Sequence, residues 1–354
     1  MKITKELINK LPKTDLHCHL DGSIRPETMI ELAEQQKVKL PYSNPDELRK
    51  FMALGDDCKS LEEYLEKFEY TLSVLQTTDA IERVSYELAI DAWNENVWYI
   101  EVRFSPILHQ QKGLSLTPIV DAARKGLKRA EKETGIKTGI IICGMRNISN
   151  LVSLKLAELT VAFKNRGIVG FDLAGAERNF PAKEHIQAFY LIRNNNVKST
   201  VHAGEAYGPE SIHEALHYCG AHRIGHGTRL KEDGDLLNFI NDMRIPLEIC
   251  VSSNFHTKTI SSIAEHPIRF YFDYGLRVTV NTDNRLMSDT TVSNELWVVH
   301  KKFGFSLKDI KLLIINGFKS VFLPYKEKVE LLEKVLSELK KYEPDDKESK
   351  LYFR

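Results

Sequence analysis

Short apolar, β-branched runs recur along this chain, and each ends in polar residues. Their alternation predicts eight strands: Thr14–Leu20, Val97–Phe104, Thr138–Cys143, Ile168–Leu173, Lys198–His202, Arg223–His226, Pro246–Val251 and Leu276–Asn281. The stretches between them carry apolar residues at three-to-four spacing. That spacing predicts helices over 79–95, 116–134, 151–165, 182–194, 211–219 and 233–243. Alternating strand and helix patterns imply a parallel sheet. Eight such units imply an α/β fold closed into a (β/α)8 TIM barrel, in preference to an open, doubly wound sheet. Residues 24–78 exceed a minimal barrel and predict a helical cap insertion after strand one. Residues 306–354 predict C-terminal helices, with 325–342 the clearest amphipathic stretch and a solvated outer face. No linker rich in Gly, Pro or Ser interrupts the chain, so 1–354 reads as a single domain.

In a barrel of this kind, reactive groups gather at the C-terminal ends of the strands. Polar residues fall there on six of the eight predicted strands: His17 and His19, Asp172, His202 and Glu205, His226, Ser252 to Asn254, and Asp283 with Asn284. His17 and His19 are two apart, so on a strand they share a face. His202 ends strand five. Asp283 ends strand eight, which neighbours strand one once the barrel closes. Any one of these histidines, met alone, is more often a buried, hydrogen-bonded core residue. Three imidazoles and a carboxylate at converging strand ends instead suit one metal ion, preferably zinc, with a position left for water. Strand four carries no lysine that would bridge a second metal.

Glu205 follows His202 by three residues across Ala203-Gly204. The glycine lets the chain turn off the strand and aim a carboxylate back into the mouth, where a general acid or base is needed. The alternative is a carboxylate stabilised by a helix N-terminus. His226, flanked by Gly225 and Gly227, could orient or deprotonate a metal-bound water, or could be a fifth ligand or a core residue. Gly175 could let a backbone amide approach a flat ligand. Cys18, between two presumed ligands, points the other way and reads as core.

Composition narrows the picture. The 354 residues balance to a net charge of +0, with 42% hydrophobic residues and a pI near 7.2. A general nucleic-acid or membrane-surface binder needs a basic excess, so neither partner is expected. No run approaches a membrane span. The first residues do not resemble a signal peptide, and five unpatterned cysteines fit reduced thiols, so a cytoplasmic location is expected. The sequence carries no signal of oligomeric state.

Taken together, Thr14 to Ser23, Glu101 to Pro106, Asp172 to Gly175, His202 to Glu205, Arg223 to Gly227, Ser252 to Asn254 and Asn281 to Asp283 resemble the adenosine deaminase family of the metal-dependent amidohydrolases. The resemblance runs over nearly the whole chain. It implies one zinc ion per subunit on His17, His19, His202 and Asp283. It implies hydrolytic deamination of adenosine, and of 2'-deoxyadenosine, to inosine and ammonia in purine salvage, with metal-activated water attacking C6. Glu205 would protonate N1, and His226 would position the water and help deprotonate it. Asp21 would touch the ribose and Gly175 the purine through its backbone, with His19 and Asn284 also binding substrate. Phe51, Leu54, Leu61, Tyr64 and Phe68 would form an apolar gate. Many family members carry aspartate where this chain has Asn284. An asparagine amide can still donate to purine N7, but the change leaves adenine and 6-aminodeoxyfutalosine as alternative substrates. AMP is disfavoured because no arginine cluster marks a phosphate site. A cyclic-amide or ester hydrolase lacks a reason for Glu205, and a binding protein without activity lacks a reason for an intact ligand set.

Overall fold

The computed structural model describes residues 2–53 and 67–342. Eight parallel strands follow one another in chain order: β1 Lys13–His19, β2 Val97–Phe104, β3 Lys137–Met145, β4 Ile168–Ala174, β5 Lys198–Ala203, β6 Arg223–His226, β7 Leu247–Ile249 and β8 Val278–Val280. Helices lie between them, giving the expected (β/α)8 barrel. The strands are buried on both faces, which is why they read as apolar runs rather than strict alternations. Ile140, Ile141 and Ile142 of β3 are all buried, and each such side chain contributes about 1.5–3 kcal/mol.

The helix Leu116–Thr134 buries Ile119, Val120, Ala123, Leu127 and Ala130 along one stripe and ends at Gly135 in a left-handed cap. Gly126 sits in that stripe because the helix Thr78–Asn94 crosses there. A Cβ at this position would lie 2.1 Å from the Glu82 carbonyl oxygen.

Two predicted strands overreach. β7 stops at Ile249, and Val251–His256 is a short helix, so Ser252, Ser253 and Asn254 lie on a helix rather than a strand end. β8 covers only Val278–Val280, which puts Asp283 in the following loop. That loop closes the barrel. The amide of His19 donates to the Asp283 carbonyl at 2.7 Å, and the amide of Asp283 donates to the His17 carbonyl at 2.7 Å. The Asn281 side chain adds a bond from the Leu16 amide at 2.9 Å.

Between β1 and β2 the described residues form the helices Pro26–Gln36, Pro45–Met52 and Phe68–Val74. After β8 come Val292–Phe303, Leu307–Ser320 and Tyr325–Lys340. Leu307–Ser320 packs across the start of β1, with Gly317 against Thr14. No helix among the described residues is long and apolar enough to cross a membrane.

Candidate active site

At the C-terminal mouth the four predicted ligands converge. Nε2 of His17 lies 3.0 Å from Nε2 of His202, and Nε2 of His19 lies 3.1 Å from the same atom. Oδ1 of Asp283 is 3.4 Å from Nε2 of both His17 and His19. Donors about 2.0–2.1 Å from a central zinc would sit roughly 3.3 Å apart in a tetrahedral set, so this spacing fits the ion. Asp283 adopts a left-handed backbone, φ 62°. That conformation is uncommon outside glycine and is held here by the seam bonds to β1.

The opposite edges of two rings explain why the facing nitrogens are available. Nδ1 of His17 is 2.9 Å from Oε2 of Glu248, and Nδ1 of His202 is 3.0 Å from Oδ2 of Asp172. An ionised carboxylate only accepts, so each Nδ1 carries the proton and each Nε2 turns a lone pair inward. Two such lone pairs at 3.0 Å attract a cation, whether proton or metal. Burial disfavours charge on Glu248, but Arg103 and Arg223 outweigh it and hold the carboxyl well below the usual range. Burial also opposes ionisation of Asp172, and His202 with Arg103 reverses this. His17 is pushed down to about 4 by burial, with Arg103 adding, so its ring is neutral near pH 7.

Arg103 joins the two carboxylate–histidine pairs. It donates to Asp172 Oδ2 and Glu248 Oε2, each at 2.9 Å, and to the Leu16 carbonyl at 2.6 Å. Arg223 Nε bonds Glu248 Oε1 at 2.6 Å, its Nη2 pairs with Glu101, and Thr200 Oγ1 donates to Glu248 Oε1 at 3.0 Å. All these groups are buried. Sequence reading assigned no role to Glu248, Arg103 or Asp172. Charged residues inside apolar strands were the available signal.

Glu205 lies just past β5. The chain turns at Gly204 with φ 70°, where a Cβ would lie 2.4 Å from Ile212. The turn is built on the buried carboxylate of Glu177, which accepts from the amides of Gly204 at 2.7 Å, Glu205 at 3.0 Å and Tyr207 at 2.9 Å. The Glu205 side chain takes a bond from Thr257 Oγ1 at 2.9 Å. Burial pushes its carboxyl above the ordinary range. The next helix begins only at Pro209, and Glu205 lines the cavity rather than capping that helix. His226, also left-handed at φ 62°, places Nε2 3.5 Å from Oε2 of Glu205. Ligand atoms of His17, His202, His226 and Asp283 all fall within 4.8 Å of one another, so His226 borders the cluster. Ser253 Oγ donates to Asp283 Oδ2 at 2.5 Å, leaving Oδ1 for the histidines.

His19, His202, Glu205, His226 and Asp283 face one cavity, which Asp21, Gly175 and Asn284 also line. Its walls include Phe68, Leu72, Leu108 and Met145. Of the predicted gate residues, Phe68 lines the cavity, Phe51 packs against Tyr42 and Tyr70 instead, and Leu54, Leu61 and Tyr64 lie outside the described residues. Asp21 Oδ1, Asn284 Oδ1 and Ser105 Oγ are buried without a hydrogen-bond partner. Asn284 fits only because residue 22 is glycine, since a Cβ there would lie 1.7 Å from Asn284 Oδ1. No lysine or arginine is among the described residues lining the cavity.

Comparison with known proteins gives a consistent picture. A family model described as adenosine deaminase matches residues 12–338. A probable adenosine deaminase of Dictyostelium discoideum is 44% identical over 322 residues, covering 91% of this chain but only 42% of that longer protein. The adenosine deaminase of Mycobacterium sp. (strain JLS) is 43% identical, covering 94% of this chain and 96% of its own. Among solved structures, adenine deaminase from Arthrobacter aurescens superposes with a TM-score of 0.87 at 27% identity, covering 93% of this chain and 99% of that one.

Proposed function

The chain belongs to the adenosine deaminase family, and from that premise we propose that this aminopurine deaminase hydrolyses adenosine and 2'-deoxyadenosine to inosine and ammonia. The observation that carries the reading is the convergence of three imidazole nitrogens and the Asp283 carboxylate within 3.4 Å of their neighbours, beside a carboxyl whose burial favours its protonated form. His17, His19, His202 and Asp283 would hold one zinc ion per subunit. Bound there, zinc would lower the pKa of a water toward about 7 and so supply a nucleophile at neutral pH.

The remaining chemistry belongs to side chains. Attack at C6 of the purine is slow until N1 is protonated. Glu205, whose carboxyl burial shifts toward the protonated form, donates its proton to N1 as the C6–O bond forms. Glu177 holds the backbone of Glu205 at that point. His226 positions the attacking oxygen. Collapse at C6 breaks the C6–N bond, and the amino group leaves as ammonia with a proton that came from the water. Gly175 lies against the purine, and the Asn284 amide donates to N7.

Two features favour a nucleoside. Asp21 Oδ1 is a buried acceptor without a partner, suited to a ribose hydroxyl. The absence of lysine and arginine from the described lining disfavours a phosphate. Adenine is the second reading, supported by the likeness to the Arthrobacter enzyme. The test is the ultraviolet spectrum of adenosine, adenine and AMP incubated with the zinc-loaded protein. Conversion of adenosine that a chelator abolishes and zinc restores supports the proposal. Faster turnover of adenine, or turnover unaffected by chelation, overturns it.

A further inference from the structure

His226 carries a chain of hydrogen bonds behind it whose polarity can be read from one end. The chain starts at a group with no ambiguity, the backbone amide of Ile268. This N–H donates to Nδ1 of His266 at 3.1 Å. Nδ1 is therefore an acceptor and bears no proton, so the proton of His266 is on Nε2. That Nε2 lies 3.1 Å from the Asn254 side chain, and the Asn254 atom facing it must be the carbonyl oxygen. Thr228 Oγ1 donates to the same oxygen at 2.8 Å. The other end of the amide is then the NH2 group, 3.0 Å from Nδ1 of His226. An amide NH2 only donates. His226 Nδ1 accepts, and its proton is on Nε2, the nitrogen that faces Glu205 and the ligand cluster.

Every member of this chain is buried: His266, Asn254, Thr228 and His226 are each at most 3% exposed. Bulk water therefore offers no alternative partner. Burial pushes His266 down to about 3, in keeping with a ring that accepts at one nitrogen and donates at the other.

We infer that Ile268, His266 and Asn254 fix His226 as a hydrogen-bond donor through Nε2–H, so that His226 orients the attacking oxygen and does not remove its proton. Asn254 and His266 are positioning residues, acting through His226. A base at this place would need a free lone pair on Nε2, and the chain assigns that lone pair to the other nitrogen. The inference revises the deprotonating role that the family resemblance implied. It rests on the proposed function only for its kinetic part.

The test is 15N NMR of the full chain labelled at histidine, zinc-loaded, with the His226 resonances identified by their loss in H226Q. The expected spectrum shows His226 protonated at Nε2 and not at Nδ1. A ring protonated at Nδ1, or one coordinated to the metal through Nε2, overturns the inference. The near-isosteric N254D gives a second arm, because its carboxylate accepts where the amide donates. His226 in N254D should move to the Nδ1–H tautomer, and kcat should fall on the order of 10- to 100-fold with KM and zinc content within about twofold. Unchanged kcat in N254D with a switched tautomer overturns the role in orientation. A wild-type protein inactive on every aminopurine sinks the proposed function, whereas the spectrum stands or falls without substrate. If N254D does not fold, the wild-type spectrum alone decides.

Discussion

Two sets of buried polar groups meet at the mouth of this barrel, and they are treated in opposite ways. Below the ligand cluster, Glu248, Arg103, Asp172 and Arg223 engage one another and two histidine rings at 2.6–3.0 Å. In the cavity wall, Asp21, Asn284 and Ser105 keep a buried oxygen with no partner. A buried polar atom left unpaired costs about 1–3 kcal/mol, so the two sets cannot serve one purpose. The first set, in which Arg103 Nε alone lacks a partner, holds the protein's own parts in place. The unsaturated set is arranged for something that arrives from outside.

The sharpest break of that comparison is E248Q. It should destabilise the metal-free protein by about 3–5 kcal/mol in urea unfolding, because Arg103 and Arg223 lose a buried counter-charge. Zinc affinity should also weaken about 10- to 100-fold, since His17 loses the group that orients it. An unaltered unfolding midpoint would show that the lower set is not a framework. E205Q should behave in the opposite way. Turnover falls on the order of 10³-fold, while urea stability and zinc content by elemental analysis stay near wild type.

D21A tests the unsaturated set directly. Its kcat/KM for adenosine should drop about 10-fold, the loss of one buried hydrogen bond, with stability unchanged or slightly raised. A fall in stability would place Asp21 with the framework. His109 supplies the control and the smallest effect. Its Nε2 is also buried without a partner, but it does not line the cavity, and its Nδ1 bonds the Leu75 carbonyl at 2.9 Å. Burial lowers it from 6.5 to about 4, so between those values the unfolded chain binds more protons than the folded one. Stability is fully present above about pH 6.5 and declines as pH falls toward 4, by at most about 1.4 kcal/mol per pH unit. H109Q should flatten this slope without touching turnover at pH 7, and an unchanged slope would remove His109 as its source.

The framework and the wall also differ in how far they could be read from sequence. β2 and β6 match their predicted limits, because their apolar runs end at clear breaks. β7 and β8 were drawn too long, since an apolar run such as Ile249-Cys250-Val251 does not reveal where strand yields to helix. The convergence of histidines and Asp283 was legible because His17 and His19 sit two residues apart at a strand end. Glu248 was not. It is one acid in an apolar triplet, and its partners His17 and Arg103 lie 231 and 145 residues away. No local spacing could reveal that pairing. Thr257 was hidden for a related reason, and Asn254, though singled out at a predicted strand end, gave no sign of its partners, because only the fold supplies the groups they touch.

The loop that carries Asp283 closes the barrel with the same backbone bonds that set it between His17 and His19. Retention of an ion bound there and barrel closure would therefore be one event in time. A chain emerging from the ribosome cannot complete the ligand set until residue 283 has appeared and paired with the first strand. In the finished protein, the residence time of an ion bound there would be tied to how seldom that seam opens.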